Sequence, residues 1–339
     1  MTKPKIWIYN AADASGDSYR RMQEKGYDVT WKPGPWDADL KYTDPRSLLF
    51  DNHTVAAAGL ANRTDIIDDF TFSSAPDLRI VAKYSNGFDN VDLDAANRRG
   101  VLITHSPTEA NWGGVAEGVF AYILTMLKKV REKDRNVKSG GWRDPSLFGS
   151  YLGARISDGY PGLTIGIIGL GRIGCRLADL FQPWRVRIVA YDPYIPVATF
   201  AQHNVHQVEL QELLQVSDIV TLHCNLTDET RNIIDADALA KMKSTGILVN
   251  AARGPCVNTE ALVYALEKGH ISGAVIDALT EEPPAKDSEL LNLGDKILLS
   301  PHMVTACHKS GLIPAIPWVE DNIYSALVGE VPKNIVNLE

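Results

Sequence analysis

The chain has little of what marks whole classes of protein. Among its 339 residues only four are cysteines, Cys175, Cys224, Cys256 and Cys307. None stands in C-x-x-C spacing, so neither a disulfide framework nor a metal knuckle is indicated and no metal is expected. No run of about 18 apolar residues is present, which removes a membrane-spanning helix and any membrane partner from the expectation. Lys and Arg total 34 against 42 Asp and Glu, a formal net charge of −8. That balance offers no basic surplus for a nucleic acid. Internal repeats and low-complexity stretches are also missing. The opening residues, Met1 to Tyr9, have no long apolar segment of the secretory kind and read as a first strand, so a cytoplasmic location is expected.

What is there is length and alternation. A chain of 339 residues is longer than one core usually grows, and two compact domains are expected. From Leu78 the pattern runs strand (78–84), turn, short helix (91–99) and strand (101–105). Residues 115–138 read as one long helix, apolar in its first half and charged in its second. After a loop around 142–162, six apolar strand-like runs follow, at 163–168, 187–191, 219–223, 246–250, 273–276 and 297–299. Separated by helical segments, they make the six strands of a doubly wound α/β nucleotide domain. From Lys309 onward the pattern is that of a C-terminal helix without a following strand.

The sharpest motif is Gly169-Leu170-Gly171-Arg172-Ile173-Gly174, directly after the buried-strand run 164–168 and directly before an amphipathic helix. In that context the first Gly permits a tight turn, the second admits a pyrophosphate to the backbone, and the third lets helix and strand pack closely. The helix start then offers N–H groups and partial positive charge to phosphates. The next strand ends at Asp192, whose carboxylate can accept from ribose hydroxyls and repels a 2′-phosphate, so NAD is expected rather than NADP.

Three polar residues lie just past the later strands. Arg253 is set among Ala251, Ala252 and Gly254, and its fork can grip a carboxylate or polarise a carbonyl. His302 offers the imidazole that proton exchange with a carbonyl oxygen needs near neutrality. A carboxylate on its other ring nitrogen would stabilise the imidazolium, and either Glu281 or Glu282 can supply one by composition.

These segments, with Gly87-Phe-Asp-Asn-Val-Asp, Val115-Ala-Glu, Leu222-His-Cys-Asn-Leu-Thr-Asp-Glu-Thr, Val249-Asn-Ala-Ala-Arg-Gly, Gly273-Ala-Val-Ile-Asp and Ser300-Pro-His, resemble the D-isomer-specific 2-hydroxyacid dehydrogenase family along nearly the whole chain. The resemblance implies two Rossmann-like doubly wound α/β domains. A discontinuous substrate domain would comprise 1–107 and 303–339, an NAD domain inserted at 108–302, and the substrate would lie in a cleft between them. It implies an NAD-dependent oxidoreductase, Arg253 as substrate anchor, and Glu282 rather than Glu281 as the partner of His302, the acid/base. It also implies Asp277 on the nicotinamide carboxamide and His223, Cys224, Asn225, Thr230, Ala251 and Ala252 along the cofactor. Residues Tyr84, Ser85, Asn86 and Gly87 would present N–H groups to the substrate carboxylate. Lys83 would read a second anion or pair with an Asp.

The sequence departs from the family pattern in places. Ser85-Asn86-Gly87 replaces a more glycine-rich run, Asn225 stands where Pro is common, and the segment before Val115 is one residue longer, placing Trp112 near the hinge. The loop from Gly141 to Pro161 is lengthened and carries Trp142, Leu147, Phe148 and Tyr151; such aromatics mark a contact, and a homodimer arm is expected. The small-molecule partner is a 2-oxo or 2-hydroxy acid. The rival reading is an NADH-responsive binding protein of the corepressor type without turnover.

Overall fold

The computed structural model describes residues 3–31, 50, 52–60, 66–305 and 312–338. It divides into two compact units, one of residues 1–112 with 306–339 and the other of 113–305. The first division falls inside a helix, Glu109–Lys128, rather than after residue 107. The second falls after Thr305 rather than His302, because Met303 and Val304 direct their N–H groups to Asp277 within the second unit.

Unit 1 is a five-stranded sheet of β1 (Lys5–Ile8), β2 (Asp28–Trp31), β3 (Thr54–Gly59), β4 (Ile80–Lys83) and β5 (Leu102–Thr104), ordered β2-β1-β3-β4-β5. All its pairings are parallel. A parallel sheet is covered on both faces, which is why β4 reads as an unbroken buried run. One face packs Ile6, Ile8 and Ala82 against Tyr19 and Met22 of α1 (Asp17–Glu24) and Val319 and Ile323 of the C-terminal helix Ile316–Val328. The other packs Ala57, Val81 and Ile103 against Phe72 of α2 (Asp69–Ser73) and Ala95 and Ala96 of α3 (Leu93–Arg99). Arg21 clamps the nearly buried Glu320 through two hydrogen bonds of 2.6 and 3.2 Å, tying α1 to the C-terminal helix. That helix begins later than the expected Lys309; residues 306–311, with Cys307, lie outside the described residues.

Unit 2 holds β6 (Thr164–Ile168), β7 (Arg187–Tyr191), β8 (His206–Gln207), β9 (Ile219–Leu222), β10 (Ile247–Asn250), β11 (Gly273–Ile276) and β12 (Ile297–Leu299). The order is β12-β11-β10-β9-β6-β7-β8, with parallel pairing throughout. There are seven strands here, not six: β8 is two exposed residues paired to Val189 and Ala190, with no apolar run to announce it. The expected single helix over 115–138 is instead two, α4 (Glu109–Lys128) and α5 (Val130–Lys138), because Lys129 adopts a left-handed φ of 50°. The break has a packing counterpart. In α4 Val119, Ile123 and Leu127 are buried, whereas α5 buries no residue. The chain passes outward from β6 to β8 and returns to β9 on the other side of β6. Ligands of open α/β sheets bind outside the carboxyl ends of the strands at such a reversal.

His223 stands at that reversal. Its N–H donates to the Ile168 carbonyl (2.7 Å) and its Nε2 lies 3.0 Å from Thr221 Oγ1. Nδ1 is shut off from solvent without a partner among the described residues. Burial pushes the imidazole down from 6.5 to about 3. An unfolded chain therefore takes up this proton near pH 6.5 while the folded one resists until about pH 3, so stability is lost as pH falls through that window. Thermal midpoints recorded from pH 7 to 4 should decline, and His223→Gln should flatten the decline. An unchanged slope in the variant would assign the acid sensitivity to other groups.

Candidate functional site

The glycine loop separates into positions that the protein's own packing demands and one that it does not. Gly169 has φ +93°, and a Cβ there would come within 2.6 Å of the Cys224 nitrogen. At Gly174 a Cβ would meet the Gly169 carbonyl oxygen at 2.3 Å, so this glycine is what lets the helix α6 (Arg172–Phe181) start against β6. At Gly171 a Cβ would meet nothing within 4 Å. Its bare backbone faces open space beside the start of α6, and as N-cap it supplies no side chain to the first helical N–H groups. Arg172, Ile173 and Gly174 follow it directly. A glycine facing space next to uncapped amides suits the close approach of a pyrophosphate.

Asp192, just past β7, accepts from the Leu170 N–H (2.8 Å) on Oδ2 and from the Tyr194 N–H (3.0 Å) on Oδ1. It therefore braces the glycine loop, and each oxygen keeps a lone pair for a further donor. The exposed Tyr194 hydroxyl donates to Glu229, and that bond raises the phenol pKa. This second carboxylate escaped the sequence reading. His223 and the half-buried Cys224 follow β9. Past them the turn closes on itself, with Thr230 Oγ1 donating to the Asn225 carbonyl (2.6 Å) and accepting from the Thr227 N–H (2.8 Å).

The last three strands of the sheet end in the expected polar residues. Past β10, Asn250 accepts from the Ala252 N–H (3.1 Å) and donates to the Arg253 carbonyl (2.9 Å), folding Ala251 and Ala252 inward. Arg253 itself gives one N–H to the Ala252 carbonyl (2.8 Å). Gly254 is required, since a Cβ there would strike the Leu279 carbonyl at 2.1 Å. Past β11, the buried Asp277 accepts from Ser300 Oγ (2.5 Å) and from the N–H groups of Met303 (3.1 Å) and Val304 (3.4 Å). Its backbone oxygen accepts from the His302 N–H (2.9 Å). Tyr122 of α4 extends this chain by donating to Ser300 Oγ (2.8 Å).

Between these ends lies a histidine–carboxylate pair able to carry a proton. His302 Nδ1 is 3.1 Å from both oxygens of Glu282, and Glu282 Oε1 also accepts from the Leu279 N–H at 2.8 Å. A carboxylate only accepts, so Nδ1 carries its proton and Nε2 is the nitrogen left for exchange. Nε2 has no partner among the described residues, and the side chain is 42% exposed. Composition left Glu281 and Glu282 equal; the geometry selects Glu282, while Glu281 is exposed.

Within unit 1, the expected substrate residues follow β4. Lys83 is fully buried and its ammonium donates to the Tyr9 hydroxyl (2.7 Å), the Leu60 carbonyl (2.7 Å) and Asn90 Oδ1 (3.1 Å). Three donors are thereby turned inward. The Tyr84 ring is buried and its N–H is taken by the Gly59 carbonyl (3.1 Å). Ser85 Oγ closes on the Gly87 carbonyl (3.0 Å), and His105 Nδ1 meets the Asn86 carbonyl (2.9 Å). The N–H groups of Asn86 and Gly87 meet no acceptor among the described residues. Among the described residues no His, Cys, Asp and Glu cluster is placed to hold a metal ion, and no helix is long and apolar enough to cross a membrane.

Comparison with known proteins agrees with this edge. Residues 120–304 match the family model described as D-isomer specific 2-hydroxyacid dehydrogenase, NAD binding domain. A glyoxylate reductase of Thermofilum pendens is 37% identical over 350 aligned positions, covering 100% of this chain and 96% of that one. A glyoxylate reductase of Korarchaeum cryptofilum is 38% identical over 81% of each chain. A crystal structure of a Thermus thermophilus protein superposes with a TM-score of 0.82 at 28% identity, over 98% of this chain and 99% of that one. With the glycine loop, Asp192 and the Glu282–His302 pair in place, the chain belongs to the D-isomer specific 2-hydroxyacid dehydrogenase family, and its second unit carries the family's NAD-binding domain.

Proposed function

We propose that this NAD-dependent enzyme interconverts a small 2-oxo acid and the corresponding D-2-hydroxy acid, with glyoxylate as the first substrate to test. The observation that carries the reading is the contact of His302 Nδ1 with both Glu282 oxygens at 3.1 Å, which leaves Nε2 for proton exchange. The relatives named glyoxylate reductase, 37% and 38% identical, support the substrate class.

The residues present fit the cofactor. The amides of Arg172, Ile173 and Gly174 would hold the pyrophosphate, and Asp192 the adenosine ribose. His223, Cys224, Asn225, Thr230, Ala251 and Ala252 would line the dinucleotide, and Asp277 would hold the carboxamide. When bound, the cofactor supplies or accepts the hydride at C2. The chain's own groups do the rest. Arg253 holds the substrate carboxylate by paired hydrogen bonds. In the reductive direction imidazolium His302 releases its Nε2 proton to the C2 oxygen; in the oxidative direction Nε2 takes that proton back. Glu282, itself fixed by the Leu279 N–H, keeps the ring in one tautomer and offsets the imidazolium charge. In unit 1 the amides of Asn86 and Gly87, which meet no acceptor among the described residues, remain available to a carboxylate. The inward bonds of Lys83 favour an internal role for that residue over contact with a second anion.

Trp142, Phe148 and Tyr151 are 73%, 78% and 49% exposed. That density of bare aromatic surface supports the homodimer arm. Sedimentation of the purified chain should report a dimer, and Trp142→Glu with Phe148→Glu should shift it toward monomer; a wild-type monomer removes the arm from the account. For the chemistry, His302→Ala should lower turnover of glyoxylate by about 10²- to 10⁴-fold with NADH affinity little changed, and a retained rate would end the assignment. For cofactor choice, kcat/KM ratios for NADH against NADPH should fall in Asp192→Ala. An unaltered ratio would place the discrimination elsewhere, with Glu229 the next residue to vary.

A further inference from the structure

We propose that Tyr122 is a positioning residue for the nicotinamide end of the cofactor, acting through Ser300 on the carboxylate of Asp277; this rests on the assignment of Asp277 to the carboxamide given above. The geometry is a chain of three groups from three segments, helix α4 and the turns after β11 and β12. Tyr122 donates to Ser300 Oγ at 2.8 Å, and Ser300 Oγ donates to Asp277 Oδ1 at 2.5 Å. Its polarity is forced. An ionised carboxylate only accepts, so the one hydroxyl proton of Ser300 goes to Asp277, and the Ser300 oxygen is then free to accept from Tyr122. Burial raises the phenol pKa of Tyr122, and the nearby Asp277 charge works in the same direction, so the phenol stays a donor. Oδ1 thus receives both Ser300 and the Met303 N–H (3.1 Å), while among the described residues Oδ2 has only the long contact from the Val304 N–H (3.4 Å). Oδ2 is the oxygen with capacity left for an incoming amide, and the chain through Tyr122 fixes which oxygen that is.

Helix α4 is seated to do this. A Cβ on Gly118 would lie 2.4 Å from the Val304 carbonyl oxygen, and one on Gly114 would lie 2.9 Å from Thr305 Oγ1. Gly114, Gly118 and Tyr122 recur every fourth residue and so share one helix face. Two bare positions let that face lie against the turn after β12, and the third reaches into it. The same turn carries His302, whose N–H is on the Asp277 carbonyl (2.9 Å).

The test compares NADH with ADP-ribose, which has no nicotinamide, on the full chain by fluorescence or calorimetric titration. Tyr122→Phe keeps the ring and removes the donor. It should weaken NADH by about 3- to 10-fold, the worth of one intramolecular hydrogen bond, and leave ADP-ribose unchanged. Ser300→Ala should weaken NADH at least as much, and the double variant should be no worse than Ser300→Ala alone, because the two act through one path. Equal losses for NADH and ADP-ribose, no loss for either, or additive losses in the double variant would overturn the proposal. Asp277→Asn in the same assay separates the two levels of inference. If it binds NADH as tightly as wild type, the assignment of Asp277 falls and takes the proposal with it. If it weakens NADH while Tyr122→Phe does not, the assignment stands and the role of Tyr122 falls.

Discussion

A charge taken out of water must have its lone pairs filled, and Asp277 is where this requirement organises unit 2. Its side chain is 1% exposed at the end of β11. The donors that compensate it come from the segment following β12, through Ser300, Met303 and Val304. An uncompensated carboxylate there would cost several kcal/mol, so the segment has little freedom to lie elsewhere. The consequence reaches the pair of His302 and Glu282. His302 sits inside that segment, held by its own N–H to the Asp277 backbone, and from there its ring meets Glu282. Chemistry at one residue is thus set by the electrostatic needs of another.

The acidity of the chain raises an apparent conflict with an anionic dinucleotide, and the structure resolves it locally. A net charge of −8 acts over the whole surface and is screened beyond about 10 Å at moderate salt. The uncapped amides at the start of α6 act within hydrogen-bond distance, where fixed dipoles outweigh a diffuse field. Asp192 and Glu229 keep negative charge beside the Tyr194 ring past β7, the placement on which the proposed preference for a 2′-hydroxyl over a 2′-phosphate rests. Global charge sets the diffuse field; local dipoles select the ligand.

Much of this was legible in the sequence, for reasons that differ by residue. The glycine loop could be read because each glycine has a separate backbone duty, and buried parallel strands leave continuous apolar runs. Arg253, Glu282 and His302 could be singled out because they stand in recognisable company after strand ends; composition left Glu281 and Glu282 equal, the family pattern pointed to Glu282, and the contact with His302 is made by Glu282. The failures share a cause: they depend on partners distant in sequence. Strand β8 exists because β7 offers it an edge, not because His206-Gln207 favours extension. The helix break at Lys129 follows from a change of burial between α4 and α5. For Lys83 the sequence left a second anion and an Asp partner both open, because its environment of Tyr9, Leu60 and Asn90 is assembled from three other segments. Tyr122 passed as one more apolar residue in a helix face. The Gly114, Gly118, Tyr122 spacing was visible, but its meaning needs the turn it leans on.

The backbone at His302 carries one more consequence. Its φ of +54° lies in the left-handed region, which costs most residues about 1 kcal/mol or more and is entered by Gly, Asn, Asp and His more readily than by β-branched side chains. Conformation and chemistry therefore draw from the same short roster at this position. Of the residues that suit such a backbone, histidine alone titrates near neutrality in ordinary surroundings. The fold narrows which residue can stand at this position before any substrate does.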